Sequence, residues 1–167
     1  MKLIIARHVE NVEWTDRYDA FIVQKGEHLP NRGREPSSYL WYILEHWDKL
    51  KGHYMFLQGY PFDHCSDIDG QIEEIPFKWL GNHSHTCDMR ASPQDNIDLK
   101  KFIKEAQIER MVDQITFLAG CQFIVSAEQI KKRPREFYEN LLKLMDNEEE
   151  RYPWAFERCV ELIFGDK

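Results

Sequence analysis

Tyr54-Met55-Phe56-Leu57-Gln58-Gly59-Tyr60-Pro61-Phe62-Asp63-His64 is an apolar run that stops against a glycine and a proline. It reads as a strand, because aromatic and aliphatic side chains suit a buried pleated surface and Pro61 cannot donate to a ladder. Residues just after such a strand stand at its carboxyl end, where open α/β sheets hold ligands. Asp63 and His64 therefore become candidates: a carboxylate and an imidazole near Gly59 suit a divalent cation or a substrate hydroxyl. The following Asp67 and Asp69 read as solvated loop acids.

Upstream, residues 2–6 and 19–24 form two further runs of strand character, the second closed by Lys25-Gly26. After the turn Pro30-Asn31-Arg32-Gly33, Ser37 or Ser38 is expected to cap a helix carrying Tyr39, Leu40, Tyr42, Ile43, Leu44 and Trp47, with Gly52 beyond its end. Downstream, residues 65–96 are polar and loop-rich, with one strand near 75–80. A helix is expected over 97–111 and a strand over 121–125. Ser126 with Gln129 then opens a short helix as a capping box, and Pro134 separates it from a helix over 135–145. A last helix over 152–164 stops at Gly165. Strands alternating with helices predict an α/β fold: one compact domain spanning residues 1–167, with a mixed, mostly parallel sheet flanked by helices.

The 167 residues carry 22 Lys and Arg against 29 Asp and Glu, a formal charge of −7, the wrong sign for coating nucleic acid or anionic membrane with the whole surface. With 43% hydrophobic residues the chain can build a core. No secretory leader and no membrane span is read, and Cys65, Cys87, Cys121 and Cys159 follow no paired spacing. Reduced thiols in the cytoplasm are the expectation. The basic run Lys131-Lys132-Arg133-Pro134-Arg135 is read as a charged helix face rather than a nucleic-acid site.

Three further clusters could carry chemistry. Arg7-His8-Val9-Glu10-Asn11 with Trp14 follows the first strand, where Glu10, Asn11 and Trp14 could hold a base and ribose; a surface loop around a packed Trp is the competing reading. In Asn31-Arg32-Gly33-Arg34-Glu35, the guanidinium and the N–H groups of a helix start suit a diphosphate, or the segment is a salt-bridged turn. His83-Ser84-His85-Thr86-Cys87-Asp88 would place His83, His85 and Cys87 on one face if extended. That is zinc chemistry, with His64 or Cys65 to complete the set; a polar loop is the alternative.

Taken in order, Ala6-Arg7 with Glu10-Asn11 and Trp14, Pro30 to Glu35 with Tyr39-Leu40, Phe56-Leu57-Gln58-Gly59 with Pro61 to His64, Gly120 to Ser126, Arg133 to Tyr138, and Glu157-Arg158 with Ile163-Phe164-Gly165 resemble a family known only as a domain of unknown function. That family is in turn distantly similar to nucleotide-sugar glycosyltransferases of the GT-A (Rossmann-like) fold. The resemblance implies a sugar donor carried by a nucleotide, a UDP-sugar foremost, and a hydroxyl-bearing acceptor. It implies that Arg7, Glu10, Asn11, Trp14, Asn31, Gly33, Arg34, Gln58 and Gly59 line the donor site. Asp63, His64 and Glu157 would lie at the reaction centre, with Asp63 or Glu157 as base. Mn or Mg held by Asp63 and His64 is a further expectation, although Gln58-Gly59-Tyr60 stands where that family carries Asp-x-Asp. The chain is short for the fold, so a homo-oligomer supplying the acceptor site is also an expectation. Two alternatives stand beside it: a zinc hydrolase built on the His/Cys/Asp cluster, and a non-catalytic nucleotide- or sugar-binding module.

Overall fold

Strand β1 (Lys2–Arg7) is buried on both faces, because Leu3 and Ile5 point to one side and Ile4 and Ala6 to the other. In the computed structural model, which describes residues 1–89, 97–110, 112–147 and 149–165, β1 is flanked in parallel by β2 (Ala20–Gln24) and β3 (His53–Gln58). The sheet continues through β7 (Gln122–Ser126) to β4 (Phe77–Leu80), in the order β2-β1-β3-β7-β4. β7 runs antiparallel to both of its neighbours, so the sheet is mixed, with two parallel and two antiparallel pairings rather than a mostly parallel set. A turn at Ala119 and Gly120 sends the chain into β7, with Gly120 (φ 103°) and Cys121 (φ 52°) in the left-handed region.

All five helices contribute to the apolar cluster on the face of Ile4, Phe56 and Phe123: α1 (Arg34–Glu45), α2 (Leu99–Glu105), α3 (Ala127–Ile130), α4 (Arg135–Met145) and α5 (Tyr152–Phe164). The opposite face, with Leu3, Ile5, Met55, Leu57 and Ile124, is covered by Trp14 of a 3-10 turn (Glu13–Arg17) and by Val12, Phe62, Cys65 and Ile68 from loops. Helices therefore flank one face rather than two. The loops after β1 and β3 fold over the other face, and that brings them together. Among the described residues no helix is long and apolar enough to cross a membrane.

Several boundaries differ from expectation for identifiable reasons. α1 begins at Arg34, ahead of the two serines, because Gly33 (φ 68°) turns the chain and Pro36 fits a first turn that needs no N–H. Ser37 is instead inside the helix and donates its hydroxyl back to the Arg32 and Arg34 carbonyls. Helix α1 ends at Glu45, and a 3-10 turn over Trp47–Lys49 leads to Gly52. α2 is shorter than 97–111, capped by the Asp98 carboxylate on the Lys101 N–H and followed by Gln107 at positive φ. Met111 lies outside the described residues. β5 (Ser84–Asp88) and β6 (Gln114–Leu118) form a separate antiparallel pair, β5 within residues 65–96 where a loop was expected and β6 where no element was read. The Ser126 cap is present, its hydroxyl accepting from the Gln129 N–H at 3.0 Å.

Candidate active site

β1 and β2 are parallel neighbours, and the chain leaving them passes to opposite faces of the sheet, so a crevice opens at their carboxyl ends. A cleft of about 180 Å³ lies there, lined by Arg7, His8, Glu10, Lys25, Asn31, Arg34 and Glu35. Arg7 donates to the Glu10 carbonyl (2.8 Å) and to the Gln24 amide oxygen (2.6 Å). Both acceptors are neutral, so they orient the guanidinium without cancelling its charge. Lys25 is buried at 7% exposure and donates from Nζ to the Arg32 carbonyl at 2.6 Å. Asn31 Nδ2 sits 3.0 Å from His8 Nε2 and ties the turn before α1 to the loop after β1.

Arg34 is held in the left-handed region at φ 49°, its guanidinium 4.9 Å above the Trp154 ring and Nε 3.4 Å from Glu35. A non-glycine residue in this conformation costs on the order of 1–3 kcal/mol, and such residues gather at ligand sites. Gly33 has no alternative: a Cβ there would lie 2.8 Å from the Cβ atoms of Met145 and Ser37.

Glu10 closes the cleft on the other side. Burial pushes its carboxyl up, but N–H bonds from His8 (2.7 Å) and Val9 (3.1 Å) outweigh burial and hold it below the usual carboxylate range. Its carboxylate seats against Gly59, where a Cβ would come within 2.8 Å of Oε2. Trp14 reinforces the same junction by donating from Nε1 to the Gly59 carbonyl at 2.9 Å. Beyond Glu10, Asn11, Glu13, Trp14, Tyr60 and Phe62 line a shallow shelf whose rings pack edge to face, Trp14 with Phe62 at 5.4 Å and Tyr60 with Phe62 at 5.2 Å. Tyr60 is 53% exposed.

The third part of the site is Glu157 on α5. Burial pushes its carboxyl above the usual range; the Gly120 N–H (2.8 Å), Arg158 and Arg34 pull it down, and Glu35 pushes it up, so that the raised state prevails. His64 lies against the same Gly120, whose Cβ would fall 2.6 Å from the imidazole Cγ. Glu157 and His64 thus meet at one glycine, while Asp63 is exposed at the tip of its turn. The Tyr39 hydroxyl is fully buried with no hydrogen-bond partner among the described residues; burial pushes it well above its ordinary range, and the carboxylates of Glu35 and Glu157 add to that.

No family model, no curated protein and no solved structure matches the chain.

The geometry separates the expected residues into groups. Arg7, Glu10, Asn31 and Arg34 converge at the crevice, Gly59 lies behind Glu10, Asn11 and Trp14 form the adjoining shelf, and Gln58 stands at the end of β3 beside Ala6. His83 precedes β5, with His85 and Cys87 on it; His85 packs on Phe117 of the two-stranded pair (5.6 Å). Among the described residues no three His, Cys, Asp or Glu side chains group as metal ligands, around either His64 or His85. Asp67 and Asp69 are engaged otherwise, with the Gly70 N–H and with Arg17 and Tyr18. Among the described residues, then, no side-chain cluster would hold a divalent ion by itself.

Three participants were not singled out from the sequence. Lys25 read as the end of a strand, and a lysine beside a turn glycine carries no signal of burial. Gln122 is fully buried, accepting from the Gln58 N–H (3.4 Å) and donating to the Pro61 carbonyl (3.3 Å), which anchors the loop that carries His64. A glutamine at the head of an apolar strand was its only sequence trace. Gly120 was named only within the segment Gly120 to Ser126, with nothing to mark it as the contact of His64 and Glu157.

Proposed function

We propose that this chain is a small GT-A-like glycosyltransferase that moves a sugar from a nucleotide-sugar, a UDP-sugar foremost, to a hydroxyl-bearing acceptor. The observation that carries the reading is the cationic cleft at the carboxyl ends of β1 and β2, with a buried carboxylate of raised affinity for protons beside it. The cleft is the size of a phosphate or diphosphate group rather than of a whole nucleotide. Arg34, Arg7 and Lys25 would hold the diphosphate, and stabilising that departing charge is the main task of such a catalyst. The nucleoside would extend over the shelf, its base on the rings of Trp14 and Tyr60 and its ribose hydroxyls toward Glu10 and Asn11.

Glu157 is the base in this reading. In a single displacement the acceptor oxygen bonds to the anomeric carbon as its proton passes to the Glu157 carboxylate and the bond from that carbon to the diphosphate oxygen breaks. A carboxylate pushed up by burial accepts a proton more readily than an exposed one, which favours Glu157 over Asp63. His64 lies against the same Gly120 whose N–H Glu157 accepts.

A thermal-shift series of nucleoside diphosphates and nucleotide-sugars tests the reading, because a ligand bound only by the folded state raises stability by RT ln(1+[L]/Kd). A rise with uridine diphosphate and its sugars is expected. A melting temperature unmoved by every nucleotide contradicts it.

A further inference from the structure

We propose that the cleft neutralises its diphosphate with its own side chains, Arg7, Lys25 and Arg34, in place of a divalent ion. The identity of the diphosphate rests on the glycosyl-transfer reading; the charge of the site does not. The end of β3 offers Gln58, Gly59 and Tyr60, none of which is a carboxylate. Two carboxylates share the cleft: Glu10 accepts the N–H groups of its own loop, and Glu35 lies 3.4 Å from Arg34. Arg7, Lys25 and Arg34 outnumber them around about 180 Å³, and this excess of positive charge disfavours an entering divalent ion and favours a diphosphate by the same Coulomb term.

The cations are also positioned in advance. Arg7 is oriented by two neutral oxygens and Lys25 by the Arg32 carbonyl. Arg34 lies over the Trp154 ring, on a backbone turned left-handed at its own residue and at Gly33. A guanidinium presents paired donors that match two phosphate oxygens, so Arg34 and Arg7 can bind in a fork that a metal-dependent site leaves to the ion. Side chains ordered before the ligand arrives lose little freedom on binding it.

Calorimetric titration of inorganic pyrophosphate and of uridine diphosphate, each in EDTA and each with Mn(II) or Mg(II), tests this directly. Both ligands are expected to bind in EDTA. Arg34→Gln, an exposed position, is expected to weaken both by about tenfold or more, with no recovery on adding metal. Binding of uridine diphosphate only in the presence of metal overturns the proposal and leaves the glycosyl-transfer reading standing. Binding of pyrophosphate in EDTA without any binding of nucleotide upholds the cationic site and overturns that reading instead. Unchanged affinity in Arg34→Gln, or no binding of either ligand in any condition, overturns the proposal.

Discussion

Arg7, Lys25 and Arg34 come from three separate segments and face one cleft, whereas His83, His85 and Cys87 come from one segment and are strung along a strand and its approach. At a strand's rise of about 3.3 Å per residue, the second set spans roughly 13 Å. The first set converges because β1 and β2 are parallel neighbours, so the chain leaving each of them emerges at one end of the sheet. The second lies along one strand of a two-stranded pair, where Cys87 packs toward the core beneath α5 while His83 and His85 stay exposed, so the three do not converge. Chemistry-bearing residues close in sequence are thus a weaker sign of a site than residues carried to one sheet end by the topology.

The comparison can be broken most sharply at Glu157. Glu157→Gln is expected to lower turnover by about 10²–10⁴-fold, the contribution of a positioned base, with nucleotide binding retained. Full turnover in that variant would remove Glu157 from the chemistry. The wild-type rate should fall as pH drops through the raised carboxyl value, giving an acid limb above the ordinary carboxylate range. Stability should follow the proton in the opposite sense. The folded state binds this proton more tightly than the unfolded chain, so its contribution is complete at pH below the ordinary value and is lost as pH rises through the raised one. Glu10, held low by backbone N–H groups, contributes the reverse: stability present above the ordinary value and lost as pH falls through the lowered one. Denaturation midpoints across pH for Glu157→Gln and Glu10→Gln would resolve the two signs.

Gly120→Ala comes next. It forces a residue at φ 103° to carry a Cβ 2.6 Å from the His64 ring, and a loss of about 1–3 kcal/mol is expected in chemical denaturation. Arg34→Lys should weaken nucleotide binding by about 1–3 kcal/mol, because an ammonium cannot reproduce the guanidinium fork. On the other side of the comparison, His85→Ala should change neither nucleotide binding nor turnover and should stay within about 0.5 kcal/mol of wild-type stability. A large loss of activity there would give β5 a role that its geometry does not.

Much of the frame was legible because the deciding residues speak locally. The strand runs ending at Gln24 and Gln58 and the long amphipathic helices α4 and α5 follow from composition and period. The pair β5 and β6 did not, for different reasons. Ser84 to Asp88 has hardly any apolar residue to mark a face, while Ile115 and Phe117 do alternate but lie in a segment that also admits a loop. The start of α1 was misplaced because serine is a strong N-cap type, and only tertiary packing of Gly33 against Met145 moves the boundary to Arg34. At the site, Arg34 and Glu10 were legible as charged residues next to turns. Lys25 and Gln122 were not, since burial of a polar side chain depends on what folds over it.

An amide chemical-shift map of the protein titrated with uridine diphosphate tests the central claim most directly, because it reads both regions in one experiment. The account predicts shifts gathered at Arg7 to Asn11, Lys25, Gly33, Arg34 and Gly59, with Ser84 to Asp88 unmoved. Shifts centred on β5, or a spectrum unchanged at saturating nucleotide, would contradict it.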